Sequence, residues 1–291
     1  MIKKKEQMEE RVLSQQQHQV IAEFMHNRED TDDLFISLLQ TVQDSKAEFE
    51  GNICYPHKSF TPLQDKIRQF NLAFLAQQCT NMLEIGFNAG HSAAIALLSN
   101  PKLKVTAIDD GKHPYVKPCY ELLLRYFGSD RIRLIIGDST SVLPAIRQDQ
   151  TPPSFDLIHI DGSNQLKVVN DDLYHCICLS APYAYLILND VQKAHIADLW
   201  EYYTDVTNAV LPKLNVFPNP PHVIATHAVG VVNYQQLEHI HNVYIEKSKM
   251  IHEAIAERER EKERQKKKRQ AKKRQRVLNR RRSQITPYLQ R

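Results

Sequence analysis

Leu83-Glu84-Ile85-Gly86-Phe87-Asn88-Ala89-Gly90-His91-Ser92-Ala93 reads as a short apolar strand, two glycines four residues apart, and the start of a helix. Gly86 permits a tight turn and the close approach of a ligand. Gly90 lets backbone and ligand pass where a Cβ would clash. The free N–H groups of the helix start face the same point. A packing role for the two glycines stays open. The stretch also departs from Gly-x-Gly-x-x-Gly, because Asn88 replaces the middle glycine. That leaves less room for a pyrophosphate and lowers the case for NAD or FAD.

Around this segment, short apolar runs alternate with helical patterns. Met82–Gly86, Lys104–Asp109, Arg131–Gly137, Phe155–Asp161 and Ala184–Asn189 read as strands, each ending in a polar residue or glycine. Between and after them, His91–Leu98, Cys119–Phe127, Ser141–Ile146, Val168–Leu179 and 192–210 read as helices. Five such strands predict a parallel sheet covered on both faces. His222–Thr226 and Gly230–Tyr234 read as a closing hairpin, with Thr226-His-Ala-Val-Gly as its turn. Before the sheet, residues 1–27 read as a polar helix and 31–47 as an amphipathic one. Asn52–Ser59 reads as loop, and a helix starting at Thr61-Pro62 extends to about Gln78. The domain division expected is 1–60 (helical extension), 61–237 (catalytic domain) and 238–291 (basic helical extension, partly disordered).

Acidic residues follow the strands, at the carboxyl ends where open sheets bind ligands. Asp109-Asp110-Gly111 lies about 20 residues after the glycine loop, where a carboxylate can accept hydrogen bonds from a ribose diol. Gly137-Asp138-Ser139 follows the third strand, where Asp138 can accept from an adenine amino group. For each Asp taken singly, capping of a loop or helix is an equal reading. Together with the glycine loop they indicate a nucleoside-type ligand.

Residues 55–235 resemble a class I S-adenosylmethionine-dependent methyltransferase. The run EIGFNAGHSA is similar to the first motif of small-molecule O-methyltransferases of the cephalosporin-hydroxylase and macrolide-sugar methyltransferase type. The resemblance implies a Rossmann-like sandwich with a mostly parallel seven-stranded sheet and helices on both faces. It implies that Glu84, Gly86, Asn88 and Gly90 surround the methionine part of the cofactor, with Phe87 and Ser92 in the same cofactor-binding segment. Asp109 would hold the ribose hydroxyls, and Asp138 and Ser139 would lie by the adenine.

The fourth strand ends His159-Ile160-Asp161-Gly162-Ser163-Asn164 and the fifth Asn189-Asp190-Val191. Asp161 and Asp190 at neighbouring strand tips can hold a hard cation such as Mg²⁺, which would acidify and orient a substrate hydroxyl. The alternative is that Asp161 binds the methionine end or caps a helix, and that Asp190 caps the next helix. Metal-dependent relatives keep acids at these two places, and by that resemblance Asn189 would add a carbonyl ligand; Val191 cannot. Relatives often read Asp-Gly-Ser-His, whereas Asn164 stands here. Candidate bases are Lys117, Lys167, His113 and His195, of which Lys117 and His195 are preferred alongside Asp161. His222 and His227 read as ordinary strand polarity. Tyr115, Tyr183 and Trp200 have both pocket and core readings.

Charge separates the chain into two parts. Residues 247–291 hold 18 Lys or Arg against 5 Glu, a net of +13, which leaves −9 for residues 1–246. The stretch 265–282 has 11 basic residues and no acid. Such a polycation can contact nucleic acid or another polyanion, or serve nuclear targeting in a eukaryotic host. A plain solvated helix is the simpler alternative. The lack of interleaved aromatics removes base stacking. No stretch reaches 18 apolar residues, so no membrane span is expected. MIKKKEQMEERV carries no apolar run behind it, so no secretory leader is expected and the location expected is cytoplasmic. The five cysteines fit no zinc or disulfide spacing. The function expected is O-methylation of a small-molecule acceptor, with Mg²⁺ as candidate helper and a homodimer as candidate assembly. A nucleic-acid methyltransferase tethered by its tail, or a non-catalytic binding protein of the same fold, are the alternatives.

Overall fold

The computed structural model describes residues 32–49, 62–149, 152, 154–206, 211, 213–214, 225–232 and 237–285. The expected helix 1–27, the loop 52–59, Cys54 and the 222–224 part of the hairpin lie outside them. The elements are α1 (Asp32–Asp44), α2 (Pro62–Ala76), β1 (Asn81–Ile85), α3 (His91–Ser99), β2 (Lys104–Asp109), α4 (Val116–Phe127), β3 (Ile132–Ile136), α5 (Ser139–Gln148), β4 (Phe155–Ile160), α6 (Leu166–Cys178), β5 (Ser180–Asn189), α7 (Ala194–Val206), β6 (His227–Val231) and α8 (Leu237–Ile285). The chain divides into two compact units, one ending at Tyr244 and one starting at Ile245.

In the first unit the sheet order is β3-β2-β1-β4-β5-β6. β1 to β5 pair in parallel and β6 is antiparallel to β5. The order reverses between β1 and its neighbours β2 and β4, which opens a crevice at the carboxyl ends of the strands. Side chains alternate across the sheet. Met82, Ala107, Leu157, Ile187 and Val229 join the core formed with α1 to α4. Leu83, Ile85, Ile108, Ile158, Ile160, Leu186 and Leu188 join the core formed with α5 to α7. Burial on both faces explains why these strands read as near-continuous apolar runs. Leu34, Phe35 and Leu38 of α1 belong to the first of these cores.

The segment expected to be a turn, Thr226 to Gly230, is instead mostly strand β6, in register with β5 from Asn189↔His227 to Tyr185↔Val231. Gly230 is there for packing: a Cβ on it would lie 3.0 Å from Leu211 and 3.1 Å from Trp200. Six strands form the sheet among the described residues, where seven were expected. On the far side of β6, Lys213 makes an isolated antiparallel bridge with Gly230, and the Leu214 N–H donates to the Val229 carbonyl at 2.8 Å.

The second unit is the continuation of α8. Every described side chain from Glu257 to Lys273 is exposed. Such a helix has no apolar stripe to bury and is held by its backbone and its charges alone. Among the described residues, no helix is long and apolar enough to cross a membrane.

Candidate active site

Three strand ends and two turns build one half of the crevice. Gly86 lies at φ +92°, and its N–H donates to the Ile108 carbonyl at 2.8 Å. A Cβ there would sit 2.1 Å from the Asp161 carbonyl oxygen, so only glycine lets the β1 turn and the β4 turn pack together. Asn88 also takes a left-handed conformation, φ +52°. Its N–H donates to Asp109 Oδ2 at 2.8 Å, while Asp109 Oδ1 accepts from the Gly111 N–H at 2.8 Å. The Asp109 carboxylate thus ties the glycine loop to the β2 turn. Gly90, at φ +75°, has no room for a Cβ between Phe87 and Leu123.

The expected cofactor residues divide by exposure. Asp109 is half-buried at the rim. Asp138 is exposed and caps α5, accepting from the Thr140 N–H at 2.9 Å and the Thr140 hydroxyl at 2.7 Å. Those hydrogen bonds hold its carboxyl below the usual range. Ser139 opens the same helix. Phe87 is a correction to the sequence reading: its ring is 1% exposed and packs edge-on against Tyr120 within the core. Only its backbone remains on the loop.

Glu84 is fully buried, and Ser92 donates to its Oε1. His159 Nδ1 lies 3.2 Å from the same oxygen, and His159 Nε2 lies 3.1 Å from Asn189 Nδ2. Assigned from this network, Asn189 donates to Nε2 and the Nδ1–H donates to Glu84. The strand register explains the alignment: Glu84, His159, Asn189 and His227 each stand two positions from an apolar residue of the same face, namely Met82, Leu157, Ile187 and Val229. A polar row therefore crosses the sheet just below the strand tips.

Helix α2 closes this row. Asn71 Nδ2 lies 2.7 Å from His227 Nε2 and also donates to the Ile67 carbonyl at 3.1 Å. Burial, with the charge of Arg68, pushes His227 down to about 3, so the ring is neutral. Three residues before Asn71 on the same helix, Arg68 Nη2 pairs with Asp161 Oδ2 at 3.3 Å; Arg68 is 7% exposed and Asp161 31%.

Asp190, at φ +65°, accepts from Gln192 Nε2 at 2.9 Å and pairs with Lys193 Nζ at 2.7 Å. Burial would raise its carboxyl. The hydrogen bonds from Lys193 and Gln192 and the charges of Lys193 and Arg68 outweigh this and hold it below the usual range. Asp161 and Asp190 do share a narrow crevice with Ser163, Asn164 and Asn189, of about 10 Å³, room for roughly one water. The side chains present do not fit a divalent cation there. Asp161 and Asp190 already hold cationic side chains. Asn189 is 4% exposed and turned to His159 rather than offered as a ligand. Among the described residues no three His, Cys, Asp or Glu side chains cluster as a metal site.

The expected bases lie elsewhere. Lys117 is exposed on the first turn of α4, which follows β2, and β1 separates β2 from β4. His195 is exposed on α7, with Nε2 3.0 Å from the Asn164 carbonyl, so it links the turns after β4 and β5. Tyr115 and Trp200 are core residues and Tyr183 is on the surface. Arg68, Asn71 and the inward role of His227 were missed in the sequence. Their one signal was polar residues Asp65, Arg68 and Asn71 recurring every third position, a weak one on a helix that also carries Gln64, Lys66 and Gln69.

Residues 83–191 match the family model described as "Methyltransferase domain". No curated protein matches the sequence. Among solved structures, the O-methyltransferase from Bacillus cereus in complex with SAH is similar at 16% identity and a TM-score of 0.53, over 74% of this chain and 100% of that one. TomG from Streptomyces achromogenes, an O-methyltransferase of tomaymycin synthesis in complex with SAM, is similar at 15% identity and a TM-score of 0.48, over 67% of this chain and 89% of that one. The sheet order and the matched segment agree: residues 83–191 carry a methyltransferase domain, on a fold shared with the Bacillus cereus O-methyltransferase.

Proposed function

We propose that this methyltransferase acts on a hydroxyl oxygen of a small molecule, without a divalent metal. The observation that carries the reading is the packing of the Asp161 backbone against Gly86, 2.1 Å from where a Cβ would stand. This contact sets a carboxylate at the junction between the glycine loop and the β4–β5 crevice. When bound, S-adenosylmethionine supplies an electrophilic methyl carbon on a sulfonium. The chain's own task is to aim an oxygen at that carbon, because in-line placement contributes more than covalent help.

Arg68 engages Asp161 Oδ2, which leaves Oδ1 to accept a hydrogen bond from the acceptor hydroxyl and orient its lone pair. With the hydroxyl held there, its oxygen would take the methyl carbon from the bound sulfonium, whose sulfur keeps the bonding electron pair, and the hydroxyl proton would pass to water. Gly86 and Gly90 keep the loop clear of side chains, and Asp109 holds its shape while facing the rim. The printed activity of the Bacillus cereus structure is in keeping with an oxygen acceptor. The polycationic stretch 265–282 has no part in this step.

Calorimetric titration with S-adenosylmethionine and S-adenosylhomocysteine, with and without Mg²⁺, tests the proposal. The expected result is micromolar binding that Mg²⁺ does not change, followed by oxygen-methylated products in a mass-spectrometric screen of small hydroxyl compounds. A folded protein that binds neither ligand would overturn it.

A further inference from the structure

We infer that Arg68 is the resident cation of this active site, a guanidinium built into α2 and paired with Asp161 at the β4 tip, one of the two carboxylates that a divalent ion would need. Two carboxylates at adjacent strand tips repel each other unless positive charge lies between or beside them. Here Asp161 and Asp190 are balanced by Arg68 and Lys193, one cation for each carboxylate. Arg68 differs from Lys193 in two ways. It is 7% exposed, whereas Lys193 is 36% exposed. A guanidinium also cannot lose its proton to make way for a metal. Removing it would leave the half-buried Asp161 carboxylate without its cation, which is unfavourable.

The anchoring of Arg68 supports a built-in role. It sits one helical turn before Asn71, whose amide is fixed by both the Ile67 carbonyl and His227. His227 in turn stands opposite Asn189 in the β5–β6 register. α2 therefore reaches the turn after β4 through Arg68 and the start of β6 through Asn71. Arg68 acts through Asp161: it fixes the carboxylate beside the Gly86 turn and places positive charge where the acceptor oxygen sheds its proton. It is a positioning residue, and that role rests on the methyltransferase reading. Its pairing with Asp161 does not.

The test is a titration of the full chain with Mn²⁺, without cofactor, followed by the electron paramagnetic resonance signal of free Mn²⁺. Wild type is expected to bind only in the millimolar range. Arg68→Gln bares the carboxylates and should bind at least about tenfold more tightly, a gain of roughly 1.4 kcal/mol. Arg68→Lys, which keeps the charge, should stay close to wild type. Adding Asp161→Asn to Arg68→Gln should abolish the gain, which a merely structural role for Arg68 would not produce. Micromolar Mn²⁺ binding by wild type that disappears in Asp161→Asn overturns the inference. So does a folded Arg68→Gln with no gain. If Arg68→Gln does not fold, wild type against Asp161→Asn decides alone. Binding of S-adenosylhomocysteine by the same samples reports separately on the enzyme reading.

Discussion

The two halves of the crevice are built from different materials. The half formed by β1, β2 and β3 is backbone: two left-handed turns at Gly86 and Asn88, held by one carboxylate, Asp109, through two N–H groups. The half at β4, β5 and β6 is side chain: Glu84, reaching in from β1, meets His159, which meets Asn189; Asn71 of α2 meets His227; and Arg68 of α2 pairs with Asp161. A backbone site tolerates changes of side chain but not of conformation. A side-chain network tolerates small backbone shifts but not the loss of a partner, because each orphaned buried group costs about 1–3 kcal/mol. In the function proposed above, cofactor binding falls to the first half and placement of the acceptor to the second.

The largest effect should come from forcing a Cβ into the backbone half. Gly86→Ala combines φ +92° with a 2.1 Å approach to the Asp161 carbonyl oxygen, an atom that cannot rotate away. Strain of about 1–3 kcal/mol and overpacking of about 1–3 kcal/mol fall on the same turn. Binding of S-adenosylhomocysteine should weaken by about a thousandfold, roughly 4 kcal/mol. Calorimetry with retained circular dichroism reads this. Near-normal affinity would mean that the turn does not hold the ligand and would erase the contrast.

The same difference in material explains what could be seen in the sequence. β2 was read with its observed limits, and β1, β3 and β4 to within one residue at each end, because each is a parallel strand whose apolar run stops at a polar residue or glycine. The glycine loop was legible because Gly86 and Gly90 are adjacent in sequence to the strand they serve. Asn88, though, was read for its size, while the structure uses its left-handed backbone. Arg68 stands 93 positions from Asp161, and Asn71 stands 156 from His227. No local pattern encodes such pairs. The β6 segment was misread because Gly230 is a turn signal when read locally and a packing site when Trp200 and Leu211 stand against it.

Acid should distinguish the halves by a smaller margin. His227 is pushed down to about 3 from 6.5, chiefly by burial. The folded state binds fewer protons than the unfolded one in that window, so stability is fully present above pH 6.5 and is lost as pH falls toward 3. At 1.36 kcal/mol per unit, the loss between pH 6.5 and pH 4 is at most about 3.4 kcal/mol. His91, buried and stacked on Phe35, follows the same sign from 6.5 to about 4. Urea midpoints between pH 7 and pH 4 should fall steeply for wild type and less steeply for His227→Gln. Equal slopes would show that His227 is not held neutral by the side-chain half.

The opposite sign is expected from α6, the helix between β4 and β5, with a smaller magnitude. Asp172 of α6 is fully buried beside the Ser139 end of α5. Burial pushes its carboxyl up to about 7; the nearby Ser139 hydroxyl works weakly against this, without making a well-formed hydrogen bond. Here the folded state holds a proton that the unfolded state has lost. Stability is therefore complete below pH 3.8 and declines as pH rises through about 7. The full linkage is at most about 4 kcal/mol, and hydration of the carboxylate in a loosened helix would reduce it to about 2 kcal/mol. Asp172→Asn keeps the shape and cannot ionise, so it should unfold at higher urea than wild type at pH 8 and at about the same urea at pH 4. The two pH slopes then have separate sources. His227→Gln flattens the acid limb and leaves the alkaline one, whereas Asp172→Asn does the reverse. A variant that moved both limbs together would mean that His227 and Asp172 respond as one electrostatic unit.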